Sequence, residues 1–228
     1  MSSHGLIIEI VFPIALVAIS KLGDGEGLLM TTSRLEAFSD GVFAIIITIM
    51  VLEFRIPKGH DFSALRPLLP VFLSYILSFI LVANYWNNHH HTFQIATKVN
   101  GRILWANAHL LFWLSLTPIA TIWMGENISY PLPMAVFGGL QLACAFAYLV
   151  LSRELLHAHG PESEIGKALG DNQKKELLSL TLYTAGIPLA YLDSRISFAC
   201  YFIVAVMWII PDRRIEKRIQ ASGISEEN

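Results

Sequence analysis

Asp40 sets the strongest constraint on what this chain can fold into. It ends Arg34-Leu-Glu-Ala-Phe-Ser-Asp40, which runs straight into Gly41-Val-Phe-Ala-Ile-Ile-Ile-Thr-Ile-Met-Val-Leu52. The second stretch is apolar enough to enter a bilayer. A carboxylate at the centre of a membrane helix costs roughly 2.5–3.5 kcal/mol on insertion scales, and less toward the ends. Asp40 therefore needs a partner, and the helix that carries it must pack against something polar.

The rest of the chain fits a membrane setting. Of its 228 residues 54% are apolar and 15% charged, and the mean hydropathy is +0.53. A soluble domain carries about 25% charged residues, so the composition is that of a polytopic, all-α integral membrane protein. The net charge of −2 gives no basic surface for nucleic acid. Cys144 and Cys200 lie inside apolar runs, as small core or lipid-facing residues do. No zinc spacing or disulfide framework is present. No phosphate loop, nucleophile elbow or suitably placed carboxylate pair suggests an enzyme, and no cofactor is expected.

Apolar runs of roughly 18–23 residues mark transmembrane helices. They predict six spans, at 35–54, 65–86, 103–124, 131–152, 176–193 and 196–211, with Gly186 and Pro188 interrupting the fifth. The longest connection, Arg153 to Lys175, reads as a polar surface loop with a helical start, and its His157 and His159 as solvated. With the N-terminus inside, Lys21, Arg34, Lys98, Arg102, Arg153, Lys167, Lys174, Lys175, Arg213, Arg214, Lys217 and Arg218 face the cytoplasm. Only Arg55, Lys58, Arg66 and Arg195 face out. Twelve against four obeys the positive-inside rule, so both termini are expected to be cytoplasmic. The basic run 213–218 reads as a juxtamembrane patch on anionic lipid.

Three regions follow: an extension 1–29, a six-helix transmembrane domain 30–215 and a cytoplasmic tail 216–228. Residues 5–20 are apolar but short for a span, contain Glu9 and Pro13, and lack a basic leader. Met30 precedes Thr31-Thr-Ser-Arg34 as a natural start would. The expectation is that residues 1–29 are an over-called extension absent from the native protein.

At about 100° per residue, Phe38, Gly41, Ile45, Thr48 and Leu52 share one stripe of the first helix, while Asp40 lies about 140° from Ile45. Such a seam suits a dry helix–helix interface, which spacing alone favours. It also suits a narrow pore, where apolar rings gate by dewetting and a hydroxyl ring meets ions. Partners for Asp40 are sought among Trp86, Asn87, Asn88, His89, His90, His91, Asn107 and His109, and Arg34 can snorkel or pair with Glu36. The residues favour a helix-tethering hydrogen-bond network there, with ion or proton binding as the alternative. His89-His90-His91 invites a metal reading. Consecutive helical residues diverge by about 100°, however, and metal ligands want i, i+4 spacing. Glu53 and Asp61 stand where a cation entrance would lie, but Arg55, Lys58 and Arg66 share that loop, leaving it an ordinary solvated one.

Arg34-x-x-x-Phe38-Ser39-Asp40 at the start of a first span resembles the signature of the transmembrane protein 175 family of cation channels. Gly41 to Thr48 resembles its bacterial branch. Ser78-Phe79, Tyr85-Trp86-x-x-His89-His90, and Asn107 leading to Leu116-Thr117-Pro118 are similar to the family's second and third helices. The resemblance spans about residues 31–215. It implies six-helix subunits in a homotetramer within the inner (plasma) membrane, with the first helix lining a central pore. It also implies conduction of potassium in preference to sodium without a TVGYG filter. By the same resemblance Ile45 is the narrowest constriction, with Thr48 and Leu52 toward the outside. Arg34, Phe38, Ser39 and Asp40 then serve folding and assembly, with Trp86, His89 and Asn107 as partners. This tips the seam toward the pore. The competing readings are a proton-coupled transporter or proton-permeable channel with an Asp40–His89 relay, and a non-conducting scaffold. Mass spectrometry of the mature N-terminus tests the extension: the first peptide is expected at or after Met30, and intact peptides from residues 5–20 would refute this.

Overall fold

The computed structural model describes residues 31–57 and 59–209. The extension 1–29, the tail 216–228, the basic run 213–218 and the end of the sixth expected span lie outside the described residues. What is described is all helical. Helix α1 covers Thr32–Leu52, and a 3₁₀ segment, Phe62–Leu68, leads into α2, Leu69–Gln94. Then come α3 (Gly101–Ser115), α4 (Thr117–Glu126), α5 (Pro131–His159), α6 (Glu164–Leu189) and α7 (Ser194–Ile209).

Helix ends follow local chemistry. Asn100 caps α3 by accepting from the Ile103 amide at 2.9 Å, and Ser163 caps α6 by accepting from Gly166 at 3.1 Å. Proline opens α5 at Pro131, where a missing amide costs nothing. Gly160, at φ +87, closes α5 in a backbone region that side chains disfavour.

Four helical stretches are long and apolar enough to cross a bilayer: Thr32–Leu52, Phe62–Ile95, Gly101–Glu126 and Pro131–His159. The fifth and sixth expected spans fall on α6 and on the shorter apolar helix α7. Several expected boundaries are corrected. The third span is two helices, because Pro118 cannot donate to the backbone ladder and the chain breaks at Leu116. α2 runs on to Gln94, well past residue 86. The expected loop from Arg153 to Lys175 shrinks to a turn of residues 160–163. α5 continues to His159, and α6 begins at Glu164 with Ile165 and Leu169 buried one turn apart.

His159 is not merely solvated. Its Nδ1 lies 2.9 Å from the Leu155 carbonyl, while Nε2 accepts from the backbone amides of Thr97 and Lys98 at 3.1 and 3.2 Å. The end of α5 thereby holds the link between α2 and α3.

α5 lies at the centre, packed on α3, α4, α6 and α7, whereas among the described helices α1 packs chiefly on α2, α3 and α4. The core includes Phe43, Leu77, Ile103, Leu114, Phe137, Tyr183 and Tyr201. Tyr201 of α7 fills a slot made by two glycines, Gly138 of α5 and Gly186 of α6. A methyl group at either would collide with its ring or hydroxyl. Ser197, one turn earlier, donates to the Gly186 carbonyl at 2.7 Å.

Gly138→Ala is therefore expected to cost on the order of 1–3 kcal/mol through overpacking, read as a lower melting temperature of the purified protein. Adding Tyr201→Phe, which removes the hydroxyl facing Gly138, should restore part of the loss. A Gly138→Ala protein as stable as its parent would contradict the slot.

Candidate functional site: the two faces of the first helix

Helix α1 separates its residues cleanly. Leu35, Ser39, Phe43, Ile46 and Met50 are buried against α2, α3 and α4. The predicted stripe is the opposite face: Phe38 is 59% exposed, Ile45 57% and Leu52 80%, with Gly41 and Thr48 also exposed. Among the described residues nothing covers it.

The buried face is fixed at two heights. Near the N-terminal end, Ser39 donates to the Leu35 carbonyl at 2.9 Å and accepts from Asn107 Nδ2 at 2.9 Å. Asn107 Oδ1 lies 2.8 Å from His89 Nε2. An amide oxygen only accepts, so His89 carries its proton on Nε2. All three residues are almost wholly buried. His89 Nδ1 has no hydrogen-bond partner, and the ring sits between Phe43 and Phe93, with centroids 5.6 and 4.4 Å away. The second fixing point is Met50, whose sulfur lies 3.9 Å from Thr121 Oγ1. That hydroxyl also stands 2.7 Å from Ser78 Oγ and 2.7 Å from the Thr117 carbonyl. Eleven residues of helix separate Ser39 from Met50, about 16 Å.

Asp40 sits at the edge between the two faces. Trp86 Nε1 donates to its Oδ1 at 2.9 Å, and the indole stacks on His90 at 5.7 Å. His90 Nδ1 pairs with Glu36 at 2.7 Å, and Gln94 Nε2 lies 2.9 Å from His90 Nε2. Glu36 thus takes His90 rather than Arg34, which is exposed.

Of the expected partners of Asp40, only Trp86 reaches it. His89 and Asn107 serve the neighbouring Ser39. Asp40 and His89 share no hydrogen bond, so the relay of the competing reading is not formed directly. The three consecutive histidines do not converge on one point: His89 is buried, His90 meets Glu36, and His91 is exposed with its ring 5.7 Å from that of His90. His109 accepts from Trp113 at 2.8 Å, away from Asp40. At the outer end, Asp61 accepts from Ser63 at 2.8 Å and Arg55 pairs with Glu126 at 3.1 Å. Asp61 is thus engaged within the loop that was expected to be an ordinary solvated one. The Met50–Thr121–Ser78 contact was not expected from sequence, although Thr121 four residues after Thr117 is the hydroxyl-on-carbonyl spacing that produces it.

Loss of Asn107 should matter more than loss of Trp86. Asn107→Ala strands a buried imidazole N–H and is expected to cost about 1–3 kcal/mol. Trp86→Phe frees a carboxylate that is only half buried and should cost less. Thermal unfolding of the two proteins side by side checks the order, and the reverse order would refute it.

The comparisons with known proteins converge. Residues 34–118 match the family model described as endosomal/lysosomal potassium channel TMEM175. A potassium channel of Chryseobacterium sp. is 50% identical over 191 residues, covering 84% of this chain and 99% of that protein. The crystal structure of a lysosomal potassium-selective channel TMEM175 homologue from Chamaesiphon minutus superposes with a TM-score of 0.68 at 29% identity, covering 78% of this chain and 96% of that one. A zebrafish (Danio rerio) endosomal/lysosomal proton channel TMEM175 is 34% identical over 103 residues, 40% of this chain and 20% of that protein. The chain belongs to the TMEM175 family.

Proposed function

We propose that this protein is a potassium-selective leak channel: four copies, each crossing the inner membrane six times, surround a pore lined by the exposed face of α1. Both termini lie in the cytoplasm, as the distribution of Lys and Arg favours. The observation that carries the reading is the uncovered stripe Ile45, Thr48 and Leu52, set opposite a face fixed at two heights. The stripe, left bare by the described residues, is free to meet other copies of the chain, and four-fold closure gives it three. The names of the bacterial relatives and of the structural neighbour support potassium as the ion.

The chemistry suits conduction without a carbonyl filter. Four Ile45 side chains facing one axis form an apolar ring that holds water back when narrow. Thr48 directs its hydroxyl to the carbonyls of Ala44 and Ile45, at 3.1 and 2.9 Å. With the proton turned inward, the oxygen lone pairs are left for a passing cation. Leu52 widens or narrows the outer end. Ser39 and Asp40 act in folding through Asn107, His89 and Trp86, while Arg34 and Phe38, both exposed on α1, act in assembly.

Ile45→Asn is expected to raise potassium flux into liposomes several-fold and to weaken discrimination against sodium. Unchanged flux would remove Ile45 as the constriction. Asp40→Ala should reduce the tetramer fraction in size-exclusion chromatography more than it reduces flux per tetramer. A normal tetramer with altered selectivity would overturn its structural role.

A second reading, proton permeation, is favoured by the vertebrate relatives, which carry the name proton channel. Proton flux measured in liposomes without potassium separates the two.

A further inference from the structure

We infer that neighbouring copies of this chain meet through two unlike flanks of α1. Phe38 and Ile49 of one copy enter a slot that the next copy makes from Ala37, Ala44 and Val51 of α1 and Phe79 and Trp86 of α2. The contact rests on the four-fold pore proposed above and is continuous with its stripe.

Helical geometry sets the two flanks. At about 100° per residue, Phe38 and Ile49 stand about 45° and 65° to one side of the mean direction of Ile45, Thr48 and Leu52. Ala37, Ala44 and Val51 stand about 55°, 75° and 95° to the other side. All five are exposed among the described residues. In a square of four helices each neighbour lies about 45° to one side of the line to the axis. Both flanks therefore turn toward a neighbour, and the four-fold rotation brings the Phe38 side of one copy against the Ala37 side of the next.

The flanks differ in size. One offers a phenyl ring and a branched aliphatic chain, the other two methyl groups and a valine. Small residues let membrane helices approach closely, and a bulky side chain from the neighbour fills the space they leave. A contact between unlike surfaces is heterologous, and it makes a ring when the rotation closes.

α2 supplies the outer wall of the slot. Trp86 donates to Asp40, which lies about 60° beyond Ala37 on the side away from the stripe, so α2 stands beside the alanine flank. The contacts Trp86–Asp40 and Tyr75–Phe54 run in opposite order along the two segments, which makes α1 and α2 antiparallel. Phe79 therefore lies about 10 Å nearer the outer end than Trp86, level with the stretch between Ala44 and Val51. Both rings are 40% exposed. Phe38 of the neighbour thus meets Ala37 and Trp86, and its Ile49 meets Val51 and Phe79.

Disulfide trapping tests this on the purified full-length protein in a Cys200→Ser background, Cys144 being buried. Positions 49 and 51 lie about 160° apart around one helix, so a link between cysteines placed there joins two copies. Ile49→Cys combined with Val51→Cys is expected to run as a ladder up to a linked tetramer on non-reducing gels. Either single variant should give at least tenfold less linked chain, and equal linking would overturn the unlike pairing. A tetramer in size-exclusion chromatography that fails to link would place the flanks against lipid and refute the contact, with the channel reading intact. A monomer would remove both. As a second measurement, Ala37→Leu, which fills the slot, should lower the tetramer fraction at least threefold, and adding Phe38→Ala should restore it. An unchanged tetramer in Ala37→Leu would refute the slot.

Discussion

The hydrogen-bond chain from His89 through Asn107 to Ser39 fixes the rotation of α1, and the rest of the molecule's logic follows from that angle. The chain has a direction. The imidazole donates to the amide oxygen, the amide donates to the serine, and the serine donates back to the Leu35 carbonyl. With three residues at or near zero exposure, no water is at hand to replace a lost partner. Turning α1 by one residue, about 100°, carries Ser39 out of reach. Each polar group stranded by that turn costs about 1–3 kcal/mol. In a bilayer a hydrogen bond between helices is itself worth only about 0.6 kcal/mol on average. The penalty for the wrong rotation, more than the gain from the right one, holds the helix.

That division explains which parts of the site were legible in the sequence. Asp40 stood out because a carboxylate in an apolar run is conspicuous, and the spacing of Ile45, Thr48 and Leu52 showed a seam, though spacing alone favoured a packed one. Ser39, next to Asp40, attracted less notice. Yet Ser39 is the residue that goes inside, because a hydroxyl can satisfy itself on its own helix four residues back, and a carboxylate cannot. Asp40 stays at the edge, where an exposed indole meets it. A full charge was too costly to bury, so the most visible residue took the less buried post.

The missed features share a physical cause as well. In its first two turns α6 buries just two described apolar side chains, Ile165 and Leu169, too few to distinguish a polar helix from a loop. His159 in isolation reads as a solvated histidine. Its role depends on two backbone amides more than sixty residues earlier. The break at Leu116 was different: Pro118 was visible, but whether it would bend or interrupt a span depends on the helices packed around it. Apolar runs were legible because they are local sums, whereas latches and slots such as Tyr201 between Gly138 and Gly186 are pairings across the chain.

The proposed pore places unequal demands on the two sides of one helix. The ion-facing side works by width, since an apolar ring excludes water only when narrow, and a displacement of about 1 Å in a helix changes that width at once. Side chains with few rotamers and no hydrogen bonds of their own suit this task, and Ile45 and Leu52 are of that kind. The rear side must then supply all the positional precision. It does so with groups whose geometry is strict: an amide between an imidazole and a hydroxyl, and 11 residues further along a thioether against a paired serine and threonine. Two fixing points resist both rotation and tilt, which one could not. In that proposed pore the polar residues of α1 are the fixed frame of a gap, and the aliphatic residues are the gap's edge.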